Sequence, residues 1–111
     1  MTNPAKNKGD KAEREVAALI TDLLGIPCRR KLGAGRLDDI GDIDGIPDTV
    51  IQVADWTDKI RAIRTKIVGV ERQRANDGAT FAASFIRLHG GTYVVVMSPE
   101  QWATYQREVM A

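Results

Sequence analysis

The sequence predicts one α/β domain, a mixed central sheet of about five strands flanked by helices, in the order α-β-β-β-α-β-β-α. Three observations carry that prediction. Apolar residues recur at helical spacing near both ends and in the middle of the chain. They alternate or run together over short stretches in between, and glycine or proline punctuates the joins. The 111 residues suffice for one core and leave no room for a second, so residues 8–111 read as a single domain.

Residues 1–7 read as a flexible basic arm. From Lys8 to Leu24, Val16, Leu19, Ile20, Leu23 and Leu24 share a helical face, and Gly25 with Pro27 supplies the stop. Cys28 to Leu32 reads as a short strand. Gly33-Ala34-Gly35-Arg36 is a glycine-rich loop leading to a second strand, on which Asp42 and Asp44 flank Ile43. After a turn over Gly45 to Asp48 comes a third strand, Thr49 to Asp55. Val50, Gln52 and Ala54 lie on one of its faces, Ile51 and Val53 on the other. Thr57 is the expected N-cap of a second helix, striped by Ile60, Ile63, Ile67 and Val70 and ending near Asn76-Asp77-Gly78. Gly69 weakens that helix by about 1 kcal/mol relative to alanine. Thr80 to Leu88 and Thr92 to Met97 form a hairpin through Gly90-Gly91, and Ser98 caps a last helix opened by Pro99.

Composition narrows the chemistry. A 43% apolar and 28% charged chain is that of a soluble globular protein, and no apolar run is long enough to span a membrane. No signal peptide is expected, so the expected location is cytoplasmic. A single cysteine, Cys28, excludes an internal disulfide and a multi-cysteine zinc site. With His89 the only histidine, catalysis by a histidine-rich metal cage or a Ser-His-Asp triad is disfavoured, which leaves carboxylates. The net charge is only +1, but it is unevenly spread. Lys6, Lys8 and Lys11, then Arg29, Arg30, Lys31 and Arg36, and later Lys59 to Arg74 are basic, whereas Asp38, Asp39, Asp42, Asp44 and Asp48 cluster. Acids set among basic segments suit a metal site within a phosphate-binding surface, and solvated surface charge is the alternative.

Three polar residues stand out from their surroundings. Glu13 falls within about 40° of the centre of the first helix's apolar stripe, whereas Glu15 lies roughly 120° away. A carboxylate facing a core must be paired, protonated or bound to a metal, unless it simply complements the helix dipole. Asp42 sits between glycines that allow close approach of a ligand or another backbone, although aspartate before glycine is also ordinary turn chemistry. Gln52 is a lone amide within Val50-Ile51-Gln52-Val53, a run that otherwise calls for burial.

Taken together, Lys8-Gly9 through Glu13-Arg14-Glu15, then Gly41-Asp42-Ile43, then Gln52-Val53-Ala54 resemble the motif series of archaeal-type Holliday junction resolvases. These belong to the PD-(D/E)XK nuclease superfamily. Trp56 and the run from Arg74 to Ala79 also look like small resolvases of actinobacterial phages, which would place the protein in the host cytoplasm. The resemblance covers residues 8–75 well and the C-terminal hairpin loosely. It implies a restriction-endonuclease-like core and Mg²⁺-dependent hydrolysis of a DNA phosphodiester, with Mn²⁺ able to substitute. It further implies a homodimer acting on four-way junctions or other branched DNA. By the same resemblance Asp42 is the main metal ligand, with Gln52, the Val53 carbonyl and Glu13 beside it. Lys8, Lys11, Arg29, Arg30, Lys31 and Arg36 are the candidates for DNA backbone contacts.

Two positions depart from the family. Gln52 replaces a glutamate, and an amide oxygen can still ligate a hard cation. Ala54 replaces the motif lysine, which in the family orients the attacking water. Three explanations stay open: a deliberately inactivated variant, a lysine moved to Lys59, or a natural DNA binder that does not cleave. The rival readings are a nicking or recombination nuclease of the same superfamily and a non-catalytic DNA-binding module on a nuclease fold.

Overall fold

The computed structural model describes residues 3–31 and 41–111. They form a mixed α/β structure: α1 (Pro4–Leu24), β1 (Arg29–Arg30), β2 (Ile43–Asp44), β3 (Thr49–Ala54), α2 (Lys59–Asp77), β4 (Phe81–Arg87), β5 (Tyr93–Val96) and α3 (Pro99–Met110). None of the described helices is long and apolar enough to cross a membrane.

The helix ends follow local chemistry. Residues 4–7 are not a flexible arm but the first turn of α1, because Asn3 accepts hydrogen bonds from the Ala5 and Lys6 N–H groups and Pro4 follows it. A Lys6–Asp10 ion pair at 2.8 Å supports the same turn. Gly25, in the left-handed region at φ 70°, closes the helix. Asp58, rather than Thr57, caps α2, accepting from the Arg61 N–H. Ser98 caps α3.

Among the described residues the strands form two sheets, not one sheet of five. β1 and β2 make a two-residue antiparallel pair, while β3 runs parallel to β4 and β4 antiparallel to β5. The break has a local cause. The Asp42 N–H donates to the Ile51 carbonyl at 2.7 Å, and then the Asp42 carboxylate, not a main-chain carbonyl, takes the Val53 N–H at 2.7 Å. A side chain thus occupies the place of the next ladder bond.

The two faces of β3 go to different helices. Ile51 and Val53, with Ile43 and Ala83, pack on Ala12, Val16, Ala17 and Ile20 of α1. Val50 meets Val70 of α2, and Ala54 meets Ala62 and Ile86. Burying each of the larger aliphatic side chains contributes about 1.5–3 kcal/mol. The buried face of α2 is Ala62, Gly69, Val70 and Gln73, with Ile63 partly buried and Ile60 63% exposed, so the expected stripe holds at Val70 and is rotated away at Ile60. The reason is close approach. A Cβ on Gly69 would stand 3.2 Å from Gln52 Oε1 and 3.3 Å from its Nε2, so glycine makes room for the Gln52 amide. The residue that weakens the helix in isolation is the one that lets it dock.

Candidate active site

Glu13, Asp42 and Arg30 come together where α1 passes the β2 edge of β3. Glu13 projects from the flank of the α1 core stripe and accepts from Arg30 Nε at 3.2 Å. The same guanidinium donates to Asp10 at 2.8 Å. Asp42 is placed by three bonds: its N–H to Ile51, its carboxylate to Val53, and its carbonyl to the Lys31 N–H at 2.8 Å. The flanking glycines are needed because backbone crowds them. A Cβ on Gly41 would lie 3.0 Å from the Ile51 carbonyl, and one on Gly45 would lie 2.5 Å from the Pro27 carbonyl. The close neighbours at these glycines are this chain's own backbone and, at Gly41, the Val50 side chain at 2.9 Å.

Burial pushes the Glu13 carboxyl above its ordinary value of 4.5, and the Asp42 charge raises it further against the pull of Arg30. Folding therefore takes up a proton at Glu13 in the pH range just above 4.5, where the unfolded chain has lost it. With more protons bound in the folded state, the contribution of this group to stability falls as pH rises through that range. The Glu13→Gln variant is expected to flatten this decline in urea titrations run between about pH 4.5 and 7. An unchanged slope would show that Glu13 does not titrate against Asp42.

The other sequence-predicted positions divide. In a strand the N–H and C=O of one residue open to the same edge, so the Val53 carbonyl shares the Asp42 side of β3. Gln52 does not join them. It is 5% exposed and lies against Gly69 on the α2 face, with its Oε1 lacking a hydrogen-bond partner among the described residues. Ala54 is 2% exposed on that same α2 face, enclosed by Ala62, Ile86 and Trp56. Gln52 and Ala54 thus face α2, whereas Ile51 and Val53 face α1, since odd and even positions of a strand oppose one another, and the Asp42 carboxylate meets the Val53 main chain at the strand's edge.

Of the expected phosphate contacts, Lys11 and Arg29 are exposed, without an ion pair among the described residues. Lys8 lies 3.8 Å from Asp55. Arg30 is already committed to Asp10 and Glu13, so it is a poor free contact. Lys31 touches Asp42 through its main chain. Arg36, with the glycine-rich loop, lies outside the described residues.

A second polar cluster escaped the sequence. Asp55, with its side chain 9% exposed, is bonded to Lys59 at 3.1 Å and approached by Arg87 at 3.9 Å. Arg87 reaches Glu15 at 3.3 Å, and the Tyr93 hydroxyl donates to Glu15 at 2.7 Å. Burial, then that carboxylate, pushes the Tyr93 hydroxyl's pKa upward. Glu15 is thus as engaged as Glu13, through partners more than 70 residues away. Only the i,i+4 spacing of Asp55 and Lys59 hinted at this cluster.

Among the described residues no three histidine, cysteine or acidic side chains are grouped to hold a metal. Two carboxylates and a main-chain carbonyl nevertheless suit Mg²⁺, which takes few protein oxygens and keeps several waters. No family model, curated protein or solved structure matches this chain.

Proposed function

We propose that this chain is a DNA-binding domain of nuclease-like architecture that holds a divalent cation at the Glu13–Asp42 edge and does not cleave DNA efficiently. The observation that carries this reading is the enclosure of Ala54 and Gln52 on the α2 face, away from the acid pair. Hydrolysis of a phosphodiester needs a placed, activated water and a positive charge near the phosphate as negative charge develops there. A bound Mg²⁺ would supply part of both. The chain's own part is to hold the cation with Glu13 and Asp42 and to set phosphates against exposed cations such as Lys11 and Arg29.

A second reading, a Mg²⁺-dependent junction endonuclease acting as a homodimer, is favoured by the shared edge of Glu13, Asp42 and the Val53 main chain. One experiment separates the two. The chain is incubated with Mg²⁺ or Mn²⁺ and a four-way junction, duplex or single strand, with binding and cleavage scored on the same samples. Binding that weakens steeply with salt, without cleavage, is the expected result. Cleavage that depends on Mg²⁺ and vanishes in Asp42→Asn would establish the endonuclease instead. No binding to any DNA would remove both readings.

A further inference from the structure

Beyond the acid pair, a cleft of about 490 Å³ opens between the first turns of α1 and α2, lined by Lys8, Asp55, Trp56, Thr57, Asp58 and Arg61. It lies at the carboxyl ends of the parallel strands β3 and β4, the end at which open α/β sheets place ligands. Trp56 follows β3 directly. Its indole rests partly on Ala54, Ala62 and Ile86 and is otherwise open. Arg61 Cζ stands 5.9 Å and Lys66 Nζ 5.6 Å from the ring centroid. Both heads lie over the ring at cation–π range, within about 6 Å of its centroid, so a base stacking there would take the place of one of them and leave that cation for a phosphate.

The charges there do not balance internally. Asp58 spends its carboxylate on the N-cap of α2, and Asp55 is shared among Lys59, Lys8 and Arg87. Arg61 and Lys66 have no ion pair among the described residues. Two unneutralised cations beside one partly open aromatic ring call for a ligand that is anionic and carries a flat ring. With Asp55 and Asp58 already engaged by this chain, few side chains here are left to read base edges, so a sequence-tolerant ligand fits best.

We propose that this cleft binds single-stranded DNA, with an unpaired base stacked on Trp56 and the adjoining phosphates held by Lys8, Arg61 and Lys66. The inference rests on the DNA-binding reading above and names the form of DNA that reading leaves open.

The test uses the full chain carrying Trp102→Phe. This leaves Trp56 as the sole tryptophan, and it removes a side chain that is 58% exposed. Titration with an oligothymidylate of about 12 nucleotides is expected to quench Trp56 fluorescence, and blunt duplex DNA to quench it little. In the otherwise native chain, Trp56→Ala is expected to weaken oligothymidylate binding roughly tenfold or more while duplex binding holds, and Trp56→Phe to keep most of it. Since Trp56 also covers Ala54, the Arg61→Ala, Lys66→Ala double variant serves as a second arm that leaves the core untouched. It should lower both single-strand affinity and the salt dependence of binding. Duplex binding without any oligothymidylate quenching of Trp56 would overturn this inference and leave the DNA-binding reading standing. Loss of all DNA binding by the chain itself would overturn that reading too.

Discussion

Replacing Ala54 with lysine is expected to destabilise the domain severely and to create no nuclease. Ala54 is 2% exposed and packed against Ala62 and Ile86 beneath Trp56. A lysine there must either push those neighbours apart or bury its ammonium. Overpacking costs about 1–3 kcal/mol, and a buried charge without a partner costs several more unless it gives up its proton. Against a total stability of about 5–15 kcal/mol, that removes much of the folded population. Urea denaturation of Ala54→Lys beside the parent chain measures it. Cleavage with Mg²⁺ on the refolded variant asks whether any activity appears. A variant as stable as the parent that cuts DNA would mean that position 54 reaches the acid pair, and the assignment of the β3 faces would be wrong.

Asp42 is expected to separate structure from cation binding when it is changed in two ways. Its carboxylate accepts the N–H of Val53, a residue that is 6% exposed, in a short charge-assisted bond of 2.7 Å. Asp42→Ala leaves that donor without its acceptor, at a cost of about 1–3 kcal/mol. Asp42→Asn keeps a carbonyl oxygen in the same place, so its loss of stability should be clearly smaller. Both remove the charge that adds to burial in raising Glu13, and both should abolish binding of Mn²⁺ followed by its paramagnetic effect on water relaxation. Equal destabilisation by the two variants would show that the charge, not the acceptor, holds Val53. Mn²⁺ binding that survives in both would place the cation elsewhere.

Much of the fold was legible because it is decided within a few residues. Ser98-Pro99 and the glycines at 25 and 78 act through hydrogen bonds to their immediate neighbours, so those helix ends are readable locally, whereas the Asn3-Pro4 start of α1 reads as an arm and the Asp58 cap of α2 is expected one residue early. Alternation along Thr49 to Ala54 separated the two faces correctly. The position of Glu13 beside an apolar stripe marked a carboxylate that needs a partner, and the structure gives it one in Arg30.

Which strand face meets which helix is not a local property, and there the sequence by itself was silent. Alternation places Gln52 and Ala54 together but does not say that α2 covers them while α1 covers Ile51 and Val53. The isoleucine spacing of α2 suggested one buried stripe. Packing kept Val70 of that stripe and part of Ile63 but turned the helix so that Ala62 and Gly69, small enough to admit β3 and its glutamine, are buried and Ile60 is exposed. Arg30 looked like a free phosphate contact until Asp10 and Glu13 claimed it. Glu15, off the apolar stripe of α1, is engaged by Arg87 and Tyr93 from the far end of the chain. Local hydrogen bonding and periodicity therefore determined which elements form. Long-range packing and charge pairing, which depend on residues distant in sequence meeting in space, decided which side chains share a site.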